Sequence, residues 1–257
     1  MFFNKIGAIA LLELLSAGLS LAHPTSSSKS PRAFNGPTVI NDCTVPGTIA
    51  LTFDDGPDKY TSDIMNILDG YGDVKVTFFI TGNNNGKGAI DVTQQWTEII
   101  KRQYGSGHQI ASHTWDHLDL STLAEDDRRR QMTRNEEAFR NIIGVVPSYM
   151  RPPYSSCGSA CVATMQDLGY HIVYFDLDTD DYNNDSPSLI VNSQNRYKSA
   201  LDGGNPASSS FLAIGHDIHE QTVHTLTKYM IDYGKSLGYR FVTLGECLGD
   251  AQANWYK

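Results

Sequence analysis

Thr48-Ile49-Ala50-Leu51-Thr52-Phe53 runs directly into Asp54-Asp55-Gly56-Pro57, so an apolar segment ends abruptly in two acids and a turn. Other short apolar runs share the character of residues 48–53, and these runs alternate with helical patterns. The further strand candidates are 74–80, 109–111, 145–150, 172–175, 211–214 and 240–244. Seven such strand–helix units predict a parallel α/β fold. The alternation alone leaves both a barrel and a doubly wound sheet open.

The helix candidates are 62–68, 92–104, 122–143, 160–168, 187–200 and 221–237. Thr122 followed by Glu125 predicts a capping-box start for the third of them. Pro187, after Asp185 and Ser186, is expected at the first helical position of the fifth.

Composition restricts the class of protein. The chain has 257 residues, of which 40% are hydrophobic and 19% charged, and its formal net charge is −9. This composition is typical of a globular protein that buries a core, not of disorder. The acidic balance argues against nucleic acid or an anionic membrane surface as partners, because both require a basic surface. Arg128-Arg129-Arg130, which follows three acids, is interpreted as a solvated helix face.

The N-terminus has the pattern of an export signal. An apolar run extends from Ile6 to Ala22 behind Lys5 and ends in the small-residue pattern Ser20-Leu21-Ala22. Glu13 interrupts the run, which argues against a membrane span. We predict a signal peptide at 1–22, a flexible segment at 23–40 and a single catalytic domain at 41–257. The protein is then secreted, to the extracellular space or the cell wall.

Four cysteines form an even set that allows three pairings: Cys43, Cys157, Cys161 and Cys247. Cys157 and Cys161 are close enough in sequence to form a local bridge, and Cys43 and Cys247 would then join the two ends of the domain. A metal site built on Cys157 and Cys161 is the alternative, but an exported protein favours disulfides.

Polar residues follow five of the apolar runs without a gap. These segments are 54–57, 112–117, 151–154, 176–182 and 215–217. In parallel α/β folds the carboxyl ends of all strands lie on one face, and that face holds the functional site. We therefore expect these distant segments to converge.

His113 and His117 are the candidate metal ligands. Four residues apart on a helical turn, two imidazoles lie on one face and can bind one ion. Two histidines with one carboxylate form an open catalytic site for zinc, and Asp54 or Asp55 can supply the carboxylate. The other aspartate can act as a base. Trp115, between the histidines, either stacks on a sugar or packs against the domain.

Two further candidates come from the remaining strand ends. Asp54 follows an apolar run and needs a partner, for which Arg151 is the candidate. His216 follows Gly215 and can act as a general acid if a carboxylate orients it. Asp181 and Asp217 are the competing carboxylates. His108, His171, His219 and His224 have no such context.

Taken in order, five motifs resemble those of the polysaccharide deacetylase family (carbohydrate esterase family 4), with fungal chitin deacetylases as the best match. They are Thr52-Phe53-Asp54-Asp55-Gly56-Pro57, Ser112-His113-Thr114-Trp115-Asp116-His117, Arg151-Pro152-Pro153-Tyr154, Asp178-Thr179-Asp180-Asp181-Tyr182 and Ile214-Gly215-His216. The resemblance covers about residues 45 to 245, and the first two motifs are the most specific. It implies a distorted (β/α)7 barrel.

The resemblance also implies a role for each matching residue. Asp55, His113 and His117 match metal ligands, Asp54 the catalytic base, Arg151 its partner, Asp181 the orienting acid and His216 the catalytic histidine. Tyr154 falls where a backbone N–H helps hold the oxyanion, and Ile214 where the acetyl methyl is accepted. Tyr182 stands where many members carry Trp. The cysteine pattern supports the pairs Cys43–Cys247 and Cys157–Cys161.

The expected function is metal-dependent removal of N-acetyl groups from chitin or chito-oligosaccharides, with Zn2+ or another divalent ion such as Co2+, in a monomer. Acetyl-xylan or peptidoglycan are alternative substrates. A glycosidase and a non-catalytic wall-binding module are alternative classes, but a glycosidase would leave the histidine pair unused. Asn184-Asp185-Ser186 is an N-glycosylation signal.

Overall fold

A single buried strand organises the sheet of this computed structural model, which describes residues 38–83 and 86–257. Strand β2 is Thr48–Asp54, and all of its residues are buried. Strands buried on both faces of a parallel sheet consist of nearly continuous apolar runs, as this one does.

All strand pairings in the sheet are parallel, in the order β1-β6-β5-β4-β3-β2-β8-β7, with β9 also paired to β2. The remaining strands are β1 Val39–Ile40, β3 Thr77–Ile80, β4 Gln109–Ser112, β5 Tyr149–Met150, β6 His171–Val173, β7 Leu177–Asp178, β8 Phe211–His216 and β9 Arg240–Val242. The α/β class and the barrel-like parallel sheet are confirmed. In the described ranges no ladder joins β1 to β7, so the sheet is a curled, open form of a barrel.

Two short strands extend the sheet beyond the seven that the sequence predicts. β7 is brief and polar at its end, which hides it from a search for apolar runs. β1 pairs Val39 with Ile172 and Ile40 with Val173. The predicted flexible segment 23–40 is therefore wrong at its last residues, where backbone pairing with β6 orders the chain. The predicted signal peptide 1–22 and the rest of that segment lie outside the described residues.

Seven α-helices occur among the described residues: α1 Thr61–Tyr71, α2 Gln94–Gly105, α3 Glu125–Ile143, α4 Ser159–Asp167, α5 Ile190–Asp202, α6 Thr227–Ser236 and α7 Leu244–Cys247. A π-helical turn, Thr222–Leu226, leads into α6. A search of the described residues found no helix with the length and hydropathy that crossing a membrane requires.

Two predicted helix starts are wrong. α3 begins at Glu125, because the Thr122 hydroxyl donates to the Asp119 carbonyl and does not cap the helix. α5 begins at Ile190, three residues after Pro187. A capping box does occur at α7, where Thr243 and Glu246 bond reciprocally.

Alternate residues of the strands face two different cores. Ile49, Leu51 and Phe53 pack in the larger cluster with residues of the helices. Ala50 points the other way, into a smaller cluster with Phe79 and with Trp255 from the C-terminal segment. Asp54 comes four residues after Ala50, so both side chains point to the same face of the sheet. Asp54 therefore lies at the carboxyl end of β2, on the side of this second cluster.

Both disulfides implied by the family resemblance are present. Cys43 bonds to Cys247 across 204 residues, and Cys157 bonds to Cys161 across four. The first bridge joins the segment before β2 to α7, and both of its cysteines belong to the second core cluster.

The long-range disulfide is expected to contribute more stability than the short one. Replacing Cys43 and Cys247 by Ser should lower the free energy of unfolding by about 4–5 kcal/mol, and the matched pair Cys157→Ser/Cys161→Ser by about 2 kcal/mol, because a longer closed loop restricts the unfolded chain more. Urea denaturation of the oxidised proteins measures both. Equal losses in the two variants would contradict the expectation.

Candidate active site

The carboxyl ends of the strands surround a cavity of about 460 Å³. Of the predicted site residues, its lining includes Asp54, Asp55, His113, His117, Arg151, Tyr154, Tyr182, Ile214 and His216. The convergence expected from strand order therefore occurs, since these residues lie near the carboxyl ends of β2, β4, β5, β7 and β8 or follow them.

Asp55, His113 and His117 form a cluster that fits a metal ion. Asp55 Oδ1 lies 3.3 Å from His113 Nε2 and 3.0 Å from His117 Nε2, and the ligand atoms all lie within 4.8 Å of one another. Asp55 Oδ1 is buried, yet it makes no well-formed hydrogen bond within the described part of the chain. Three donor atoms therefore face a common point, which is how ligands of one cation are arranged.

The tautomer of His113 supports the same interpretation. Its Nδ1 lies 2.7 Å from the carbonyl oxygen of Arg151, which can only accept a hydrogen bond. Nδ1 must therefore carry the proton, and the lone pair of Nε2 points toward Asp55. A backbone carbonyl that orients a ligating histidine in this way is typical of metal sites.

The predicted helical turn between the two histidines is absent. Residues 113–117 form an irregular loop, with Thr114 at φ 69° and His117 at φ 55°. These two left-handed residues fold the loop back so that the imidazoles meet, with ring centroids 5.0 Å apart. The two imidazoles therefore lie together through loop geometry, and the predicted helical turn is wrong.

Backbone strain is concentrated around the cavity. Six non-glycine residues have positive φ among the described residues: Asp55, Thr114, His117, Tyr154, Ser155 and Asp180. All follow strands at the cavity end of the sheet. Such conformations persist only where surrounding contacts hold them, and they are frequent at functional sites.

Asp54 and Arg151 form a buried ion pair beside the histidines. Arg151 Nη1 donates to Asp54 Oδ1 at 2.7 Å, and both side chains are almost fully inaccessible. The other oxygen of Asp54, Oδ2, lies 3.8 Å from His113 Nε2. One carboxylate oxygen is thus occupied by the guanidinium while the other faces the candidate metal ligands.

His216 pairs with Asp181 and not with Asp217. His216 Nδ1 lies 2.8 Å from Asp181 Oδ1, while the His216 amide and the Thr222 hydroxyl both donate to Asp181 Oδ2. Burial lowers the pKa of His216, but the charge and hydrogen bond of Asp181, aided by the acids Asp54 and Asp55, outweigh it and raise the pKa to about 10. This imidazole is therefore held ready to carry a proton.

Asp217 turns away from the cavity. Its Oδ2 accepts a 2.6 Å hydrogen bond from the Thr61 hydroxyl, and burial is the largest cause that raises its pKa to about 7. The nearby amine of Lys87 is affected in the opposite direction, since burial lowers its pKa to about 8.

Aromatic rings form the rim of the cavity. Tyr154, 70% exposed, packs edge-on against His117, and Tyr182, 47% exposed, packs edge-on against His216. Ile214 is buried at the cavity wall. Exposed rings above an acidic and imidazole-lined floor suit a sugar chain that lies across the opening.

Trp115 is the predicted contact residue that lies elsewhere. It packs partly buried against the larger core cluster, and the Arg134 guanidinium lies 4.6 Å from its ring centre. Gly82 allows this packing, because a Cβ there would lie 1.9 Å from the indole. Of the two interpretations of Trp115, the structure supports packing against the domain.

His219 was missed as a site residue. It lines the cavity, and its Nδ1 lies 3.1 Å from Asp185 Oδ2. His219 follows His216 by three residues, so extending the strand-end rule a few positions would have found it.

Asn184, the first residue of the glycosylation signal, is buried. Its side-chain amide donates to the Asp180 carbonyl, and its side-chain oxygen accepts from Asn192. These contacts argue against a glycan at this position in the folded protein.

Comparison with known proteins identifies the family. A family profile described as polysaccharide deacetylase matches residues 41–173. The chain belongs to the polysaccharide deacetylase family. A chitin deacetylase of Colletotrichum lindemuthianum is 43% identical over 256 residues, which cover 100% of this chain and 99% of the relative. A chitin deacetylase of Pestalotiopsis is 42% identical over 96% of this chain and 78% of its own length.

Solved structures show the same fold. The chitin deacetylase structure from Colletotrichum lindemuthianum matches with a TM-score of 0.81 and 45% identity, covering 85% of this deacetylase and 95% of that chain. A family pseudoenzyme from Bacillus anthracis, 20% identical, matches with a TM-score of 0.67 over 83% of this chain and 69% of its own. The fold therefore does not by itself establish catalysis, and the side chains of the site must.

Removing one of the two histidines should remove metal from this deacetylase. In His113→Ala the site would keep only Asp55 and His117, too few protein ligands for a stable zinc site. Elemental analysis after dialysis against trace Zn2+ measures the ion bound per chain, with the exposed His224→Ala variant as control. Full occupancy in His113→Ala would exclude that residue from the ligand set.

The pKa of His216 should depend on Asp181. In Asp181→Asn the largest raising charge is lost, while burial still lowers the pKa and only Asp54 and Asp55 still raise it, so the pKa of His216 should fall well below its wild-type value of about 10. In the metal-free wild type it should stay protonated beyond pH 8. NMR titration of the imidazole carbons measures both, and Asp185→Asn is the control because Asp185 contacts His219 and not His216. An unchanged His216 titration in Asp181→Asn would disprove this dependence.

Proposed function

We propose that this polysaccharide deacetylase removes N-acetyl groups from chitin or chito-oligosaccharides and releases acetate. The observation that carries the proposal is the set of three groups on one cavity: a candidate metal cluster, an arginine-paired aspartate and a carboxylate-paired histidine. The likeness to two fungal chitin deacetylases, over 100% and 96% of this chain, supports the choice of substrate.

Asp55, His113 and His117 would hold a divalent ion, for which Zn2+ is the first candidate and Co2+ an alternative. Two imidazole nitrogens and one carboxylate oxygen, with further positions open, match the donor set of catalytic zinc. When bound, the ion supplies Lewis-acid polarisation of the acetamide carbonyl and makes water easier to deprotonate.

Asp54 would act as the general base. Arg151 holds Oδ1, so Oδ2 is the oxygen that can accept the proton of the attacking water next to His113. The same salt bridge fixes the rotation of the carboxylate, so Oδ2 stays aimed at the position of the attacking water.

His216 would act as the general acid. Asp181 occupies its Nδ1, so the proton donated to the leaving sugar amine comes from Nε2 on the opposite side of the ring. A histidine oriented by a buried carboxylate keeps one tautomer and one ring orientation. The backbone N–H of Tyr154 is proposed to stabilise the oxyanion, Ile214 to receive the acetyl methyl, and Tyr182 to contact the sugar.

Peptidoglycan is the substrate alternative with the most specific support. A probable peptidoglycan-N-acetylglucosamine deacetylase of Arthroderma benhamiae is 40% identical over 85% of this chain, although the match spans 48% of that relative. A glycosidase is less consistent with the site, because glycosidases place two carboxyl groups on opposite sides of the bond. Here Asp54 and Asp55 are adjacent, and one pairs with Arg151 while the other faces two histidines.

We also propose that the protein is exported and acts outside the cell or in the cell wall. Two disulfides support this, since they form and persist in oxidising compartments. The signal-like pattern of residues 6–22 supports it independently.

Acetate release distinguishes the candidate functions. Purified protein is assayed on defined chito-oligosaccharides, acetyl-xylan and peptidoglycan, with and without a chelator. The proposal expects chelator-sensitive acetate release that is fastest on chito-oligosaccharides. New reducing ends without acetate would indicate a glycosidase, and neither product on any substrate would indicate a binding module.

Asp54→Asn should abolish turnover while keeping the fold and the metal. The amide cannot accept the water proton, so kcat should fall by about 10²- to 10⁴-fold, the usual contribution of a general base. Circular dichroism and elemental analysis check fold and metal content, and the exposed Asp126→Asn variant is the matched control. Near-normal acetate release by Asp54→Asn would refute its role as base.

A further inference from the structure

The amine of Lys87 contacts the backbone of the candidate metal ligand Asp55 and has no role in the proposed reaction. Lys87 Nζ donates to the backbone carbonyl of Asp55 at 3.2 Å and to the Thr81 hydroxyl at 3.0 Å. Thr81 in turn donates its hydroxyl proton to the same carbonyl at 2.7 Å. Two donors that also bond to each other therefore hold a single backbone oxygen.

The carbonyl that accepts these hydrogen bonds belongs to Asp55, whose backbone conformation is unfavourable without stabilising contacts. Asp55 has φ 75°, a left-handed conformation that non-glycine residues seldom adopt. Such a conformation persists where neighbouring contacts determine the backbone. The carbonyl contacts restrain the backbone of Asp55, and the backbone sets the direction in which its Cα–Cβ bond leaves, so they bear on where Asp55 Oδ1 lies relative to His113 and His117.

Lys87 is itself fixed from the other side. Its backbone carbonyl accepts a 2.9 Å hydrogen bond from the indole of Trp96, which is buried in the larger core cluster. A long side chain that is anchored at its backbone loses less freedom when its amine binds. The backbone of Lys87 is thus attached to the core through Trp96, and not only to the loop that contains it.

Asp217 packs against the same turn. An added Cβ on Gly56 would lie 2.4 Å from Asp217 Oδ1, so the carboxylate packs directly against the residue that follows Asp55. Burying an amine is costly unless it is hydrogen-bonded, and the Asp55 carbonyl and the Thr81 hydroxyl supply two acceptors for Lys87.

We propose that Lys87, together with Thr81, is a positioning residue that holds Asp55 in the left-handed conformation required for metal binding. The inference rests on the proposed function, because it assumes that Asp55 is a ligand. Neither Lys87 nor Thr81 lines the cavity, so both act through the backbone of Asp55 and not on the substrate.

Metal affinity tests the proposal directly. The dissociation constant for Zn2+ is measured by competition with a chromogenic chelator for wild type, Lys87→Met and Thr81→Val. Both variants should bind Zn2+ about 10- to 100-fold more weakly, the usual effect of losing a group that orients a ligand. At saturating Zn2+ their kcat should return to within about threefold of wild type, because no cavity residue has changed. Lys87→Arg, which keeps a donor, should recover part of the affinity.

A matched control separates positioning from general stability. Lys101 is exposed and paired with Glu98, so Lys101→Met should leave Zn2+ affinity unchanged. Thermal unfolding of the metal-free proteins is measured in parallel. A lower unfolding temperature with wild-type Zn2+ affinity would show a purely structural role and overturn the proposal. If Lys87→Met does not fold, the nearly isosteric Thr81→Val variant decides alone.

Measurements on the wild-type protein separate a failure of the proposed function from a failure of the role proposed for Lys87 and Thr81. If wild type binds no Zn2+ and releases no acetate, the proposed function fails. If wild type binds Zn2+ tightly and both variants bind it equally well, only the role of Lys87 and Thr81 fails.

Discussion

The site depends on the salt bridge between Arg151 and Asp54 inside the curled sheet. The guanidinium also donates to the Thr52 hydroxyl and to the carbonyls of Val173 and Tyr174, so its nitrogens are all used within the fold. It lies 4.1 Å from the centre of the Phe79 ring. A buried charge is tolerated only when it is paired and hydrogen-bonded, and removing one partner of such a pair is costly. The side chain of Arg151 thus connects the segment after β5 to β2 and β6. The backbone carbonyl of Arg151 also selects the tautomer of His113.

The positions of the principal site residues were predictable because the relevant signals are local. An apolar run that ends in an unusual polar group indicates a strand end, and parallel topology brings such ends to one face. Asp54, Asp55, His113 and His216 follow from this rule. The pairing of His216 with Asp181 instead of Asp217 required the family resemblance, since the residues alone left both open.

Other features depend on contacts between distant segments and leave little trace in the local pattern. Arg128 was interpreted as part of a solvated face, but it is buried and donates to the Leu120 and Leu123 carbonyls and to Thr164. The convergence of His113 and His117 depends on two left-handed residues and not on a helical period. The helix starts at Thr122 and Pro187 were predicted from favourable residues that tertiary contacts used differently. Lys87 gave no signal at all, because nothing near it in sequence indicates Asp55.

The bridge from Cys43 to Cys247 brings two residues 204 positions apart to a Cα distance of 5.1 Å. Between them the polypeptide is a covalently closed ring that contains every group proposed to take part in the reaction. Cleavage of one peptide bond in any loop of this ring opens it without releasing a fragment. A single nick would therefore leave two segments that the disulfide still joins, and a second nick inside the ring would be needed to release one.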